Sequence, residues 1–112
     1  MFKFVTIYRR VDDENALETF FSHTHLPLAE QLPGLLKTEV ARITGKPGGE
    51  SRFHLMYELY FADEDSFNRA LISPAGQELM AALKQWWDAR LITWFYTHTY
   101  EEERPLPEDE EE

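Results

Sequence analysis

The sequence predicts an α+β domain of the βαββαβ, ferredoxin-like type: a four-stranded antiparallel sheet with two helical segments on one face. Three observations carry this. Four segments alternate in the manner of strands, at 2–10, 35–45, 52–62 and 90–100. Helical patterns at 14–32 and 64–87 separate the first strand from the second and the third from the fourth. Between the second and third strands there is only a short Gly/Pro-rich stretch, GKPGGES. A chain of 112 residues holds one such domain, not two.

The first strand reads FKFVTIYRR. Phe4, Thr6 and Tyr8 share one face, and Val5 and Ile7 the other, so both faces call for cover. Val11–Asp13 is a turn in which Asp12 or Asp13 can cap the next helix. In that helix Leu17, Phe20 and Phe21 form an apolar stripe, and Leu28 and Leu32 continue a four-residue spacing. Pro27 removes a helical donor, so a kink or junction is expected at His23–Pro27, and Pro33-Gly34 ends the unit. The second strand, LLKTEVARITG, has little contrast between its faces. The loop after it lacks P-loop spacing, contains no GK[ST] and leads into no helix, so it reads as a strand connection.

The third strand has the clearest alternation and is expected in the middle of the sheet. Phe53, Leu55, Tyr57, Leu59 and Phe61 line one face; His54, Met56, Glu58 and Tyr60 line the other. Asp63 can cap a short helix over 64–72. Ser73-Pro74 then supplies the cap and first residue of another over 74–87, with Leu79, Leu83 and Trp86 as its seam. RLITWFYTHTY, rich in Thr and aromatics, is the last strand.

Two helices cover one face of such a sheet and leave the other bare. The chain is 43% hydrophobic, with eight Phe, five Tyr and three Trp, and its strands have little polar surface to spare. The predicted cover is the same face of a second copy, in a homodimer. The net charge of −10 is mostly terminal. EEERPLPEDEEE, residues 101–112, has eight acids and one base, a net of −7, which leaves −3 for residues 1–100. The expectation is a folded domain over 1–100 and a solvated, disordered acidic tail over 101–112. Without a basic stripe, nucleic acid is not a predicted partner. The absence of cysteine excludes disulfides, thiolate catalysis and Cys-ligated zinc. The opening segment lacks the order of charges of a signal peptide, and no apolar run is long enough to span a membrane. A cytoplasmic location is expected.

Several segments together resemble the EthD family, named for a protein of ethyl tert-butyl ether degradation and part of the dimeric α+β barrel superfamily. They are Tyr8-Arg9-Arg10, the run from Phe21 through His25-Leu26-Pro27-Leu28 to Ala29, Leu32-Pro33-Gly34-Leu35, Tyr57-Glu58-Leu59-Tyr60-Phe61 and Ser73-Pro74-Ala75-Gly76. The resemblance spans residues 2–99 and implies a dimeric barrel. Its superfamily includes cofactor-free oxygenases, lactone isomerases, haem-handling enzymes and proteins of unknown role, so it implies much less about the reaction.

His25 corresponds to the histidine of the family's His-x-Pro-Leu segment and is the candidate acid/base. Its plainer role is to tie the helix to the sheet by a hydrogen bond. Tyr8, Tyr57 and Trp94 are candidate ligand-binding residues, able to line an apolar pocket with a few polar groups, although strand aromatics mostly serve core or interface. Glu58 interrupts an apolar strand and needs a donor, an arginine or histidine, in a structural or interface ion pair. Arg9 is a candidate for ion pairing at the strand end or for anchoring a ligand carboxylate. His23, His25, His54 and His98 lack metal-ligand spacing, so no metal and no cofactor is expected. The functional expectation is a cofactor-independent oxygenase or isomerase acting on a small apolar or aromatic metabolite. The alternative is a non-catalytic binding protein using the same helix–sheet pocket.

Overall fold

The computed structural model describes residues 1–100; the acidic segment 101–112 lies outside the described residues, and the expected tail with it. Strand β1 spans Phe2–Arg9. Helix α1, Glu14–Phe20, is capped by the Asp13 carboxylate, which accepts from the Ala16 N–H at 3.0 Å. It continues through a π-helical turn, Phe21–His25, into α2, Leu26–Glu30. After the Leu32–Leu35 turn, in which Gly34 takes φ 80° behind Pro33, come β2 (Lys37–Arg42) and β3 (Phe53–Phe61). Helix α3 is Glu64–Ile72, α4 is Pro74–Asp88 and β4 is Ile92–His98. This is the anticipated β-α-β-β-α-β order, with the first helical segment in two pieces around the π turn and the second in two pieces around Ser73. Strands β2 and β4 are shorter than the sequence patterns that predict them.

The four strands form one antiparallel sheet in the order β2-β3-β1-β4, which is the ferredoxin-like topology. Strands β1 and β3 occupy the interior, and they carry the strongest alternation. Phe2, Phe4 and Tyr8 of β1 and Leu55, Tyr57, Leu59 and Phe61 of β3 are buried under the helices. From the helices come Leu17, Phe21, Ala29, Phe67, Ala70, Leu79 and Leu83. Each large apolar side chain so buried contributes about 1.5–3 kcal/mol relative to exposure.

Two local features depart from simple periodicity. Tyr8 pairs with Leu55 but Arg9 pairs with Phe53, so His54 is an extra residue, a β-bulge. The sequence pattern assigns His54 to the face of Met56 and Glu58. The bulge instead lets its ring bond Glu18 of α1, Nε2 to Oε2, at 2.7 Å. The second feature is the α3–α4 corner. The Ser73 hydroxyl donates to the Ala70 carbonyl at 2.5 Å and accepts from the Gly76 N–H at 3.1 Å. Gly76 is buried against the end of α3, where a Cβ would lie 2.5 Å from the Leu71 carbonyl oxygen and closer still to that of Ala70.

The face away from the helices is apolar along its middle and charged towards β2. Val5 is buried there, with Ile7 and Met56 half-buried and Phe95 40% exposed. Lys3 pairs with Glu58 at 2.9 Å, Lys37 with Glu39 at 2.9 Å, and the Tyr60 hydroxyl donates to Glu39 at 2.8 Å. Among the described residues, no helix is long and apolar enough to cross a membrane.

Candidate functional site

The site begins with a proline. Pro27 has no N–H, so the usual bond to the His23 carbonyl is missing, and one wide turn precedes it. The turn is closed by the Leu26 N–H donating to the Phe21 carbonyl, five residues back. A four-residue spacing in a regular α-helix drifts by roughly 40° per step. Leu17, Phe21, His25 and Ala29 stand at that spacing and are all buried, the one extra residue having taken back most of the drift. Phe21 and His25 thereby both face the sheet.

His25 is fully enclosed. Its Nδ1 lies 2.5 Å from the Tyr8 hydroxyl. With Tyr8 donating, Nδ1 accepts and the proton of the neutral ring sits on Nε2. That nitrogen is buried and has no hydrogen-bond partner among the described residues. Tyr57 stands edge-on to the imidazole at 5.0 Å, and Phe21 does so at 5.4 Å. The Tyr57 hydroxyl, with Thr38 beside it, makes no hydrogen bond of good geometry among the described residues. Burial lowers the His25 pKa to about 3 and raises that of Tyr8 well above the usual phenol range. It pushes Tyr57 up to about 12, with the nearby Glu30 charge adding to the effect. At neutral pH all three groups are uncharged. The result is a small set of neutral, desolvated donors and acceptors in an apolar shell, with the means to hydrogen-bond a carbonyl oxygen.

Of the residues singled out in the sequence, the fold brings Tyr8, His25 and Tyr57 into one group. Trp94 does not join them. It stacks on Trp87 at 4.5 Å with the rings nearly parallel, and its Nε1 is buried without a partner among the described residues. Glu58 has its ion pair, but the donor is Lys3 on the open face, not an arginine or histidine. Arg9 is exposed and, with Trp94, lines a cavity of about 530 Å³ at the end of the sheet. The four histidines are dispersed: His23 is exposed, His54 bonds Glu18, and His98 lies edge-on to Phe2. Glu18 also accepts from the Arg42 guanidinium, which with His54 holds its carboxyl down at about 2.

Arg52, Arg90 and Trp87 also line the 530 Å³ cavity, and sequence reasoning misses all three. They come from a strand start, a turn and a helix end, with no common spacing. The only local signal is a non-glycine residue just past a helix end at Arg90, which adopts φ 60°.

The EthD domain family matches residues 13–89 of this chain. An EthD family protein of Bacillus halodurans is 32% identical, covers 89% of this chain and 99% of its own, and superposes with a TM-score of 0.80. An uncharacterised 11.0 kDa protein from the thcB–thcC intergenic region of Rhodococcus erythropolis is 25% identical over 81 residues, 72% of this chain and 79% of its own. SnoaB of Streptomyces nogalater, a cofactor-independent oxygenase, is 19% identical over 94% of this chain and 97% of its own, with a TM-score of 0.62.

Proposed function

The chain belongs to the EthD family, and from that premise we propose that it is a cofactor-independent acid–base enzyme for a small apolar or aromatic carbon acid, with His25 moving the proton. One observation carries this reading: among the described residues the His25 Nε2 lacks a hydrogen bond, and the Tyr57 hydroxyl lacks one of good geometry, in an otherwise apolar core. An unsatisfied buried polar group costs about 1–3 kcal/mol, and such groups persist where a reaction uses them. The Tyr8 hydroxyl can accept from Nδ1 as well as donate to it, so the ring can present Nε2 either as a lone pair or as a donor. In the first form it takes a proton from an activated C–H, the enolate left beside the ring offsetting the desolvation that holds the free imidazole at about 3. In the second it holds the resulting enolate oxygen.

The carbanion then has two fates. Reprotonation elsewhere is isomerisation. Reaction with molecular oxygen is oxygenation, the class of chemistry for which SnoaB is named. In that reaction an activated methylene becomes a carbonyl. One oxygen atom bonds to the carbon, and the other leaves as water with both methylene hydrogens. The four electrons that reduce the dioxygen come from the carbon, so no further reductant is needed. The closed core requires the helix around the π turn to yield for entry, at the place where its backbone hydrogen bonds are least regular. The bare sheet face is assigned to a second copy, because Val5, Ile7, Met56 and Phe95 form a continuous apolar strip that two-fold pairing would cover.

Two probes test the reaction with the full chain. Anthrone under air is followed by oxygen uptake and anthraquinone formation, and 2-tetralone in heavy water under argon by loss of the α-proton NMR signal. Catalysis above the buffer blank is expected with at least one probe. His25→Gln should reduce it about 100-fold or more while the protein stays folded. Equal rates for folded His25→Gln, or no catalysis with either probe, would remove this reading and leave His25 as a helix–sheet tie.

A further inference from the structure

The cavity at the end of the sheet is unlike the His25 core in every respect. It holds about 530 Å³, and its charged wall is assembled from three separate parts of the chain. Arg9 ends β1, Arg52 precedes β3, and Arg90 follows α4. Among the described residues none of the three has an ion-pair partner, whereas Arg10 is paired with Glu14 and Arg42 with Glu18. The body of the chain carries more acids than bases, so three guanidinium groups around one hollow, unpaired among the described residues, are a local concentration of positive charge. Among the described residues the one carboxylate in the wall, Asp88, is held by Lys84 at 2.5 Å. Arg90 has φ 60°, a strained backbone for a side-chain-bearing residue.

Phe53, Trp87 and Trp94 make most of the rest of the wall, together with Ile92 and Thr93. The Arg52 guanidinium lies 5.0 Å from the Phe53 ring centroid. Trp87 and Trp94 stack 8° from parallel, and Trp87 remains 45% exposed. The same two tryptophans line an apolar groove of about 330 Å³ with Phe4, Phe67 and Tyr96. The pair is therefore a flat partition with guanidinium groups on one side and hydrocarbon on the other. Guanidinium groups grip carboxylates through paired N–H donors, and indole faces take planar rings.

We infer that this arginine–tryptophan cavity is a binding site for a planar aromatic carboxylate. The carboxylate is held by Arg9, Arg52 and Arg90, and the ring system lies against Trp87. The site is separate from the His25 group and does not depend on the reaction proposed for it. The aromatic wall selects against aliphatic acids, which would meet the charge without filling the hollow.

The test titrates the full chain with 2-naphthoate and, in parallel, with the neutral isostere 2-naphthylmethanol, by calorimetry and by NMR of the arginine Nε–H signals. Saturable binding of the acid is expected with Kd on the order of 100 µM, with the alcohol at least 10-fold weaker. The Arg9, Arg52 and Arg90 signals should shift, and added salt should weaken the acid alone. The double variant Arg9→Gln/Arg52→Gln should lose 10-fold or more for the acid, and His25→Gln should lose nothing. Absence of saturation, equal binding of the alcohol, or unmoved arginine signals would overturn the assignment. The signals are read on the unaltered chain, so misfolding of the double variant leaves the test intact.

Discussion

Gly76→Ala will lower the melting temperature by roughly 10–20 °C, the result of a loss of about 3 kcal/mol or more in a domain of this size. The cause is contact, not conformational freedom, since the Gly76 backbone is not in the left-handed region. A Cβ there would press on the carbonyl oxygens of Ala70 and Leu71, the latter at 2.5 Å. Both are backbone atoms of the last turn of α3 and cannot swing away as a side chain end would. Nor can the corner open freely. The Ser73 hydroxyl ties the Ala70 carbonyl to the Gly76 N–H, and Phe67, Ala70, Leu79 and Leu83 seat both helices in the core. Thermal melts by circular dichroism check this, with the exposed Ala81→Gly as a helix control costing about 1 kcal/mol. A melting temperature within about 4 °C of the unaltered chain would show that the corner relaxes and that the close approach is not rigid.

Acid will act chiefly through His25. The unfolded imidazole takes up a proton near pH 6.5, whereas in the folded core burial delays this to about pH 3. Between those values the unfolded state binds one proton more, so stability is full above pH 6.5 and is lost as the pH falls. The slope is up to about 1.4 kcal/mol per pH unit, a loss on the order of 3 kcal/mol by pH 4. Glu18 has the same sign but a lower window, since its carboxyl falls from 4.5 to about 2 and its share is lost only below pH 4.5. The interval from 4.5 to 6.5 therefore isolates the histidine. Denaturant unfolding across it should give a steep dependence for the unaltered chain and one shallower by nearly one proton for His25→Gln. A His25 ring that titrates near 6.5 in the folded protein, followed by NMR, would contradict both the enclosure and the sign.

The topology was legible because strands and helices announce themselves by period. Tyr8, Leu55, Tyr57, Leu59 and Phe61 could be assigned to common faces from parity alone, and Asp13, Asp63 and Ser73 carry cap chemistry at the right offsets. Parity does not say which face meets the helices, and it fails where a residue is inserted. His54 sits on a bulge, so its side chain is out of step with the strand that contains it. The His25 group was partly legible: Pro27 marked the irregular turn, and Tyr8 and Tyr57 had the parity to meet it. Trp94 shares that parity, but β4 is an edge strand and its tryptophan is met by Trp87 at the far end of α4. The Lys3–Glu58 contact and the arginine cavity depend on which strands end side by side, which is a property of the sheet order and not of any one segment.

The π turn has a consequence for insertions and deletions. Removing one residue between Phe21 and His25 would narrow the wide turn towards α-helical spacing, although Pro27 would still lack its donor. Everything beyond it would keep nearly its present phase relative to Leu17, because the turn already absorbs the extra residue. A deletion inside α1 has no such absorber: it would rotate all that follows by roughly 100° and carry His25 off the line that meets Tyr8. The segment is therefore tolerant of a lost residue at the turn and intolerant of one just before it.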